Sequence, residues 1–395
     1  MRIIMFTGKG GVGKTSVASA TGIQTAKRGY RTLVMSLDSA HSLADSFDLD
    51  RRLMDRAKGK PVDVAENLAI QEVDVQEEVQ EHWGDVHSYI SCLLNVSGLE
   101  EVLAEELAIL PGMEEVTSLL NINRYVKDKT YDVIILDCAP TGESLRFISL
   151  PTTLEWYMKK IFTIERTMFK VTRPLMKQLT SIPLPEDSYF QSLARLYDKL
   201  EGVDQLLTNA DTTTVRLVTN PEKMVIKESQ RAFMYFSLYG LCVDAVIINR
   251  VLPENVGGYF EEWVETQKKY IEDVHACFSP VPTWQVELSR KEMVGIEDLT
   301  RLGEELYRDK DPTERFYAKT PLSFRKRNGK YVMTLQTPFI AKEDIDLSKS
   351  GDELIVRIGN YKRHVLLPRS IAGKEPTGAK LDGDKLTVTF GGKDG

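Results

Sequence analysis

The residues with the clearest chemical meaning lie near the N-terminus, in a glycine-rich segment with the spacing Gly-x-x-x-x-Gly-Lys-Thr. Glycine lets several backbone N–H groups point at one anion, and a following helix adds the positive end of its dipole. In this pattern the lysine reaches the β- and γ-phosphates of a nucleotide, and the threonine hydroxyl binds Mg²⁺. An apolar run before the segment and a helical pattern after it disfavour the alternative of a simple glycine-rich turn. The predicted nucleotide-binding residues are Gly8, Lys9, Gly10, Gly11, Val12, Gly13, Lys14, Thr15 and Ser16.

Two aspartates follow apolar runs further along the chain. Asp38 comes after Thr32–Leu37, and Asp137 comes after Asp132–Leu136. The carboxyl ends of parallel strands form the ligand-binding edge of an open α/β sheet. We expect Asp38 to orient or deprotonate the water that attacks the γ-phosphate, and Asp137 to bind Mg²⁺ through water while Thr15 binds it directly. An aspartate at a strand end can also cap the next helix, which is the alternative for both residues.

A parallel sheet is needed to bring these candidates together. Continuous apolar runs, each closed by a polar residue and separated by helical patterns, are typical of a sheet covered on both faces. Such runs occupy Ile3–Thr7, Thr32–Leu37, Asp132–Leu136, Val215–Thr219 and Ala245–Asn249. The predicted fold class is therefore α/β, with a mostly parallel sheet of the P-loop nucleotide-hydrolase type over residues 1–308.

Two long stretches, residues 65–123 and 150–211, interrupt this alternation and are predicted to be helical insertions. From Pro61 to Asn123 the sequence has 14 acidic residues and no lysine or arginine. In the second stretch, apolar residues recur at three- and four-residue steps. Such a stripe is usually core, but methionine and phenylalanine also suit an adaptable surface for an apolar partner. The candidate residues for that surface are Met158, Ile161, Phe162, Met168, Phe169 and Met176.

The pattern changes after Arg308. Asp309–Thr313 is polar and predicts a hinge, which belongs to a linker over residues 309–320. Beyond it, short runs alternate apolar and polar residues, and turn pairs such as Asp382-Gly383 separate them. Residues 321–395 are therefore predicted to form a small all-β sandwich domain.

Composition excludes several classes of protein. Apolar residues make up 42% and charged residues 28% of the 395, which is ordinary for globular proteins, and the net charge of −7 argues against nucleic-acid binding. No apolar stretch reaches the roughly 18 residues that a membrane span needs. The four cysteines are too scattered for a disulfide framework or a zinc site. We therefore expect a protein of the reducing cytoplasm that binds no zinc.

The phosphate loop resembles the deviant P-loop of the MinD, ParA, nitrogenase-iron-protein and ArsA ATPases, because it contains a second lysine, Lys9. Two further segments resemble the switches of ArsA and of the guided-entry targeting ATPases. Asp38–His41 is similar to their Asp-Pro-Ala-His, with Ser39 in place of proline. Asp137–Gly142 is similar to their Asp-Thr-Ala-Pro-Thr-Gly, and Glu143 follows where a histidine is common. The sequence is thus identified as a member of the ArsA family over about residues 1–308.

The resemblance implies an ATPase that uses ATP and Mg²⁺ and works as a homodimer, since the chain has one phosphate loop. In that group the extra lysine reaches the nucleotide of the facing subunit, so Lys9, Lys14 and Asp38 are the expected catalytic residues. Asn249 matches the family asparagine that hydrogen-bonds adenine, and Pro282 matches the adenine-flanking loop less closely. The β domain resembles the α-crystallin (small heat-shock protein) fold, which implies contact with exposed apolar protein segments or an architectural cap.

Three functions are compatible with this resemblance. The leading interpretation is a dimeric ATPase that opens and closes around a hydrophobic protein client, of the membrane-protein-targeting or chaperone type, with a membrane receptor or pump as a further partner. The alternative is the ATPase subunit that drives arsenite or antimonite efflux, although that class usually has two tandem ATPase halves and three converging cysteines. A ParA- or MinD-like positioning protein is the third, but it would end in an amphipathic membrane helix and not in a β domain.

Overall fold

An eight-stranded sheet forms the centre of the N-terminal part of the molecule. The computed structural model describes residues 1–38, 42–73, 113–158, 162, 187–327 and 330–391. The strands of this sheet are β1 (Arg2–Thr7), β2 (Thr32–Ser36), β3 (Val62–Ala65), β4 (Leu68–Glu72), β5 (Val133–Asp137), β6 (Thr213–Thr219), β7 (Val243–Val251) and β8 (Thr283–Glu287). They lie in the order β3-β4-β2-β5-β1-β6-β7-β8, and β3 is antiparallel to β4 while the other neighbours are parallel. The predicted α/β class with a mostly parallel sheet is confirmed.

Helices cover both faces of the sheet and enclose an apolar core on each side. They are α1 (Lys14–Lys27), α2 (Leu43–Ser46), α3 (Arg51–Ala57), α4 (Met113–Asp128), α5 (Thr141–Tyr157), α6 (Asp187–Leu200), α7 (Val203–Thr208), α8 (Lys223–Tyr239), α9 (Glu261–Phe278) and α10 (Gly295–Tyr307). In β1, Ile3 and Met5 face one core while Ile4 and Phe6 face the other. Burial on both faces is why the central strands are continuous apolar runs. Among the helices of the described residues, none is long and apolar enough to span a bilayer.

The prediction of helix over residues 65–123 is wrong at its start. β4 lies inside that range, and all five of its residues are buried between β2 and β3. Its apolar run is only Leu68–Ile70 and ends in two polar residues, so the sequence pattern there is too short to indicate a strand. Pairing with β2, a tertiary contact, decides the outcome. At the other end of the range α4 is helical as predicted, and residues 74–112 lie outside the described residues.

Within the second predicted insertion, the described parts are helical. α5 continues to Tyr157, and α6 and α7 follow. Met158 is half-buried, and Phe162 is buried with its ring centroid 5.8 Å from that of Phe190. The remaining candidates for an apolar surface, Ile161, Met168, Phe169 and Met176, lie outside the described residues.

The connection after α10 is fastened to the sheet and is not the hinge predicted for Asp309–Thr313. The Arg216 guanidinium, buried in β6, donates a hydrogen bond of 2.7 Å to the carbonyl of Pro312. Arg2 donates to the carbonyl of Thr313 at 2.9 Å, and Tyr30 donates to the Asp311 carboxylate at 3.1 Å. Polar residues predicted a solvated hinge because the sequence does not show that these partners lie nearby.

The C-terminal part is a β sandwich, as predicted. Its strands are β9 (Leu322–Arg327), β10 (Lys330–Gln336), β11 (Ile345–Ser350), β12 (Glu353–Ile358), β13 (Tyr361–Leu366), β14 (Glu375–Asp382) and β15 (Lys385–Gly391), and a short helix α11 (Arg369–Ala372) follows β13. One sheet has the order β14-β15-β10-β9 and the other has the order β11-β12-β13. Its core also contains Met234 and Leu238, which belong to α8. The sandwich is therefore packed directly onto a helix of the N-terminal part.

Candidate functional site

The phosphate loop lies between β1 and α1, where the mechanism requires it. Two of its glycines leave no room for a side chain. A Cβ on Gly8 would lie 2.1 Å from the Val218 carbonyl oxygen, and one on Gly13 would lie 2.3 Å from Nδ2 of Asn249. Gly13 also has φ of 91°, a left-handed conformation that glycine adopts at little cost. The loop is therefore closely packed against the ends of β6 and β7.

The two lysines of the loop have different surroundings. The side chain of Lys14 is buried, and its Nζ donates to the carbonyl of Lys9 at 3.4 Å, inside the curve of the loop. Lys9 is half-buried and is not among the residues that line the cavity of its own chain. Lys14 thus lines the cavity of its own chain, while Lys9 does not.

Thr15 and Asp137 form the part of the site that suits a cation. The Thr15 hydroxyl donates to Oδ2 of Asp137 at 2.7 Å, whereas Oδ1 is buried without a hydrogen-bond partner among the described residues. Burial raises the pKa of Asp137 to about 7, although the hydrogen bond from Thr15 and the charge of Lys14 act in the opposite direction. Mg²⁺ prefers oxygen ligands, so an unpartnered carboxylate oxygen beside a hydroxyl fits this ion.

Asp38 lies at the end of β2, next to this pair in the sheet. It lines the cavity, and its backbone is held by Ser36, whose hydroxyl contacts both the N–H and the carbonyl of Asp38 at 3.3 and 3.2 Å. Asp38 and Asp137 therefore share one edge of the sheet, as the strand pattern predicted. Residues 39–41 of the first switch lie outside the described residues.

A cavity of about 1080 Å³ opens over the loop, large enough for a nucleotide. Of the predicted nucleotide-binding residues, those that line it are Gly10, Gly11, Gly13, Lys14, Thr15, Ser16 and Asn249, together with Asp38; Gly8, Lys9 and Val12 do not. The Asn249 amide donates to the Val12 carbonyl at 2.8 Å, so its nitrogen holds the phosphate loop.

The structure does not bring Pro282 to this site. Pro282 precedes β8 and so lies at the edge of the sheet opposite to the phosphate loop. The residues that follow β8, from Leu288 to Val294, line the cavity instead. Within this wall Lys291 pairs with Asp298 at 2.8 Å, and Arg301 pairs with the same carboxylate at 2.6 Å. Contact with Lys291 lowers the pKa of Asp298 from its ordinary value.

Sequence reasoning missed two polar residues at this edge. Ser42 lines the cavity, and its hydroxyl lies 3.3 Å from that of Thr15. Glu72 ends β4 and is buried, with its carboxylate bonded to the N–H of Ala44. The signal that identified Asp38 and Asp137, a polar residue directly after an apolar run, does not identify Glu72, because the run Leu68–Ile70 is short and Gln71 follows it. Only the parallel pairing of β4 with β2 brings Glu72 to this edge of the sheet.

Comparisons with known proteins agree with this geometry. A family model described as an anion-transporting ATPase matches residues 1–308, and one described as an HSP20-like domain found in ArsA matches residues 328–390. An Aquifex aeolicus protein named "Putative arsenical pump-driving ATPase 1" is 49% identical over 98% of this chain and 99% of its own length. A similarly named protein of Chlorobaculum tepidum is 39% identical over 99% of this chain and 96% of its own length. The ATPase get3 of Sclerotinia sclerotiorum is 28% identical over 78% of this chain and 89% of its own length.

Proposed function

Because the chain belongs to the anion-transporting (ArsA-type) ATPase family and is an ATP hydrolase of that family, we propose that it works as a homodimer that couples ATP binding and hydrolysis to opening and closing around a hydrophobic protein client. The observation that carries the proposal is that Lys14, Thr15 and Asp38 line one nucleotide-sized cavity, with Asp137 buried behind Thr15 and bonded to its hydroxyl. The protein acts in the cytoplasm in this proposal, because its cysteines stay reduced there. The three cysteines that the structure describes are free.

Each residue of the cluster has one task in hydrolysis. The loop N–H groups and Lys14 hold the β- and γ-phosphates, and Thr15 with Asp137 holds Mg²⁺, the latter through water. When bound, the ion neutralises charge that develops on the phosphate oxygens. Asp38 orients the attacking water and accepts its proton, because it lines the same cavity from the end of β2. The oxygen of the Asn249 amide accepts a hydrogen bond from the adenine amino group.

In the proposed homodimer, Lys9 acts on the nucleotide of the facing subunit. Lys14 and Thr15 account for the phosphate and metal contacts within one chain, and Lys9 does not line its own cavity. Across a two-fold axis it reaches the phosphates of the facing subunit, where a cation stabilises transition-state charge. This role follows from the resemblance to the deviant P-loop ATPases.

The client proposal is supported by the way α5 connects two regions. The helix begins at Thr141 in the second switch, four residues after Asp137, and runs to Tyr157 inside the second helical stretch. A change at the phosphates thus has a continuous helix along which to reach that stretch. In the described state Phe162 is buried against Phe190 and does not present an apolar surface, so binding of a client requires this contact to open.

A pull-down tests the client proposal. Wild-type protein with ATP should retain a polypeptide that carries an apolar membrane-type segment, and Met158→Asp should weaken retention. Leu53→Asp is the matched control. Leu53 is apolar like Met158 and is 42% exposed, but it lies on α3, away from the second helical stretch. Equal retention by wild type and Met158→Asp, or equal loss in both variants, would count against the proposed surface.

The alternative, an ATPase that drives efflux of arsenite or antimonite, is favoured by the names of two relatives, which describe them as arsenical pump-driving ATPases. Trivalent arsenic needs several converging thiolates. Burial raises the pKa of the Cys242 thiol to about 12 and also raises that of Cys138, which opposes thiolate formation. Among the described residues no group of three metal-binding side chains occurs. ATPase activity stimulated by antimonite, and lost in Cys138→Ser, would favour the pump over the client proposal.

A further inference from the structure

A buried carboxylate with no task in the hydrolysis scheme lies at the end of β4. Glu72 is 8% exposed, and its Oε1 accepts a hydrogen bond of 2.9 Å from the backbone N–H of Ala44. A carboxylate is costly to bury unless hydrogen bonds compensate for the water it loses. The hydrogen bond from Ala44 therefore compensates for part of the hydration that the Glu72 carboxylate loses on burial.

Ala44 lies in the first turn of the short helix α2, whose N-terminal N–H groups have no acceptors within the helix. Ser42, the residue directly before α2, makes no capping hydrogen bond with its side chain. Glu72 supplies from β4 the acceptor that a capping residue normally supplies from the helix itself. On its other side, Ser46 of α2 contacts Ser19 of α1 at 3.3 Å between hydroxyl oxygens. α2 is thus held between β4 and α1.

The position of α2 matters because this helix is a wall of the nucleotide cavity. Ser42, Asp45 and Ser46 line that cavity. The Ser42 hydroxyl lies 3.3 Å from that of Thr15, the residue placed to bind Mg²⁺. Asp38 precedes Ser42 by four residues, so the start of α2 is also one end of the segment that carries Asp38.

We infer that Glu72 is a positioning residue for hydrolysis, which holds α2 through Ala44 and so keeps Ser42 beside Thr15, at the cavity that Asp38 also lines. The inference rests on the proposed ATPase mechanism. Loss of the carboxylate lowers kcat more than nucleotide affinity, because Lys14 and the phosphate loop belong to β1 and α1 and stay in place.

Three variants of β4 test this inference. Glu72→Ala removes the acceptor, and we expect kcat to fall about tenfold while the Kd for ATP stays within about threefold, as for loss of one buried hydrogen bond to a charged group. Glu72→Gln keeps an acceptor oxygen and should keep most of kcat. Gln71→Ala is the matched control, because Gln71 is also buried but bonds to Gly59 and Tyr125 instead. It should lower thermal stability and leave kcat unchanged.

Hydrogen exchange supplies a readout that needs no turnover. The amides of residues 43–47 should exchange faster in Glu72→Ala than in wild type and in Gln71→Ala. Wild-type kcat and exchange in Glu72→Ala, or the same loss of kcat in Glu72→Ala and Gln71→Ala, would overturn the inference. If the wild-type protein hydrolyses no ATP, the proposed function fails, while exchange at residues 43–47 still decides whether Glu72 holds α2.

Discussion

The Thr15 hydroxyl donates a hydrogen bond of 2.7 Å to one carboxylate oxygen of Asp137, and the other oxygen of that carboxylate is buried without a partner among the described residues. Both residues lie at the carboxyl edge of the sheet, one at the start of α1 and one at the end of β5. A half-satisfied carboxylate costs stability, and its pKa is raised to about 7. Burial of this carboxylate therefore favours a proton or a cation at the site.

Asp137→Asn should make the metal-free protein more stable at pH 8, by an amount on the order of a few kcal/mol. Because the native pKa of about 7 exceeds the ordinary value of 3.8, the native state binds a proton that the unfolded state lacks between these two values. The Asp137 contribution to wild-type stability therefore falls as pH rises from about 4 to 7 and is constant above 7. The advantage of the variant should shrink below pH 7.

Urea denaturation of both proteins in EDTA, at pH 8 and pH 5.5, measures this difference. Mg²⁺ added in the presence of ADP should then stabilise wild type more than the variant. A variant less stable than wild type at pH 8 without metal would mean that Asp137 has a stabilising partner in solution.

Lys14→Ala should weaken ATP binding by roughly a hundredfold or more, because it removes a buried cation paired with the β- and γ-phosphates. Lys27→Ala on the same helix is the control, since Lys27 forms only an exposed ion pair with Glu304. This variant should bind ATP with wild-type affinity. Titration with a fluorescent ATP analogue measures both. Unchanged affinity in Lys14→Ala would contradict the assignment of the phosphate loop.

Asp38→Asn should keep ATP binding but lower turnover by roughly a hundredfold, since only positioning and deprotonation of the water are lost. ATP Kd and steady-state hydrolysis, measured on one preparation, separate the two effects. If closure of the dimer precedes hydrolysis, this variant should also accumulate a closed dimer with ATP. Hydrolysis at the wild-type rate would mean that another group positions the water.

Lys9→Ala should leave ATP binding by each subunit intact and lower turnover, if its charge acts across the dimer. Mixing it with Asp38→Asn should restore part of the activity, because one site of a mixed dimer then has both an intact Asp38 and an intact Lys9 from its neighbour. With equal amounts and free exchange, about half of the dimers are mixed and have one competent site, which gives up to about a quarter of wild-type activity.

Subunit exchange must be shown separately, for example by energy transfer between labelled subunits. A mixture that exchanges but is no more active than its two parents would rule out the trans role of Lys9.

Leu238→Ala should destabilise the β sandwich, because Leu238 extends from α8 into its core and is 0% exposed. The cost should be about 2–5 kcal/mol, as for other leucines truncated in a core. Leu366→Ala on β13 is the control, since that side chain is 52% exposed and its loss should cost little. Urea denaturation measures both, and equal stability of wild type and Leu238→Ala would mean that the sandwich does not depend on α8.

Local signals were enough to predict the phosphate loop and the central strands. The loop needs particular residue types at fixed spacing, and strands buried on both faces are apolar along their length, so both features are visible in a short window of sequence. Asp38 and Asp137 follow from the same rule, because parallel strands end at a common edge. The β sandwich follows from alternation of period two, which the observed strands confirm.

Tertiary contacts decided the structure of the segments between the phosphate loop and the central strands, and the placement of several side chains. β4 is a strand because β2 offers it a partner, Asp309–Thr313 is fixed because Arg2, Tyr30 and Arg216 reach it, and Glu72 is bonded to Ala44 although 28 residues separate them. The position of Pro282 depends on which end of β8 faces the phosphates, and Asn249 contacts the loop 237 residues away. Each of these outcomes depends on a partner distant in sequence, so local composition and periodicity could not contain it.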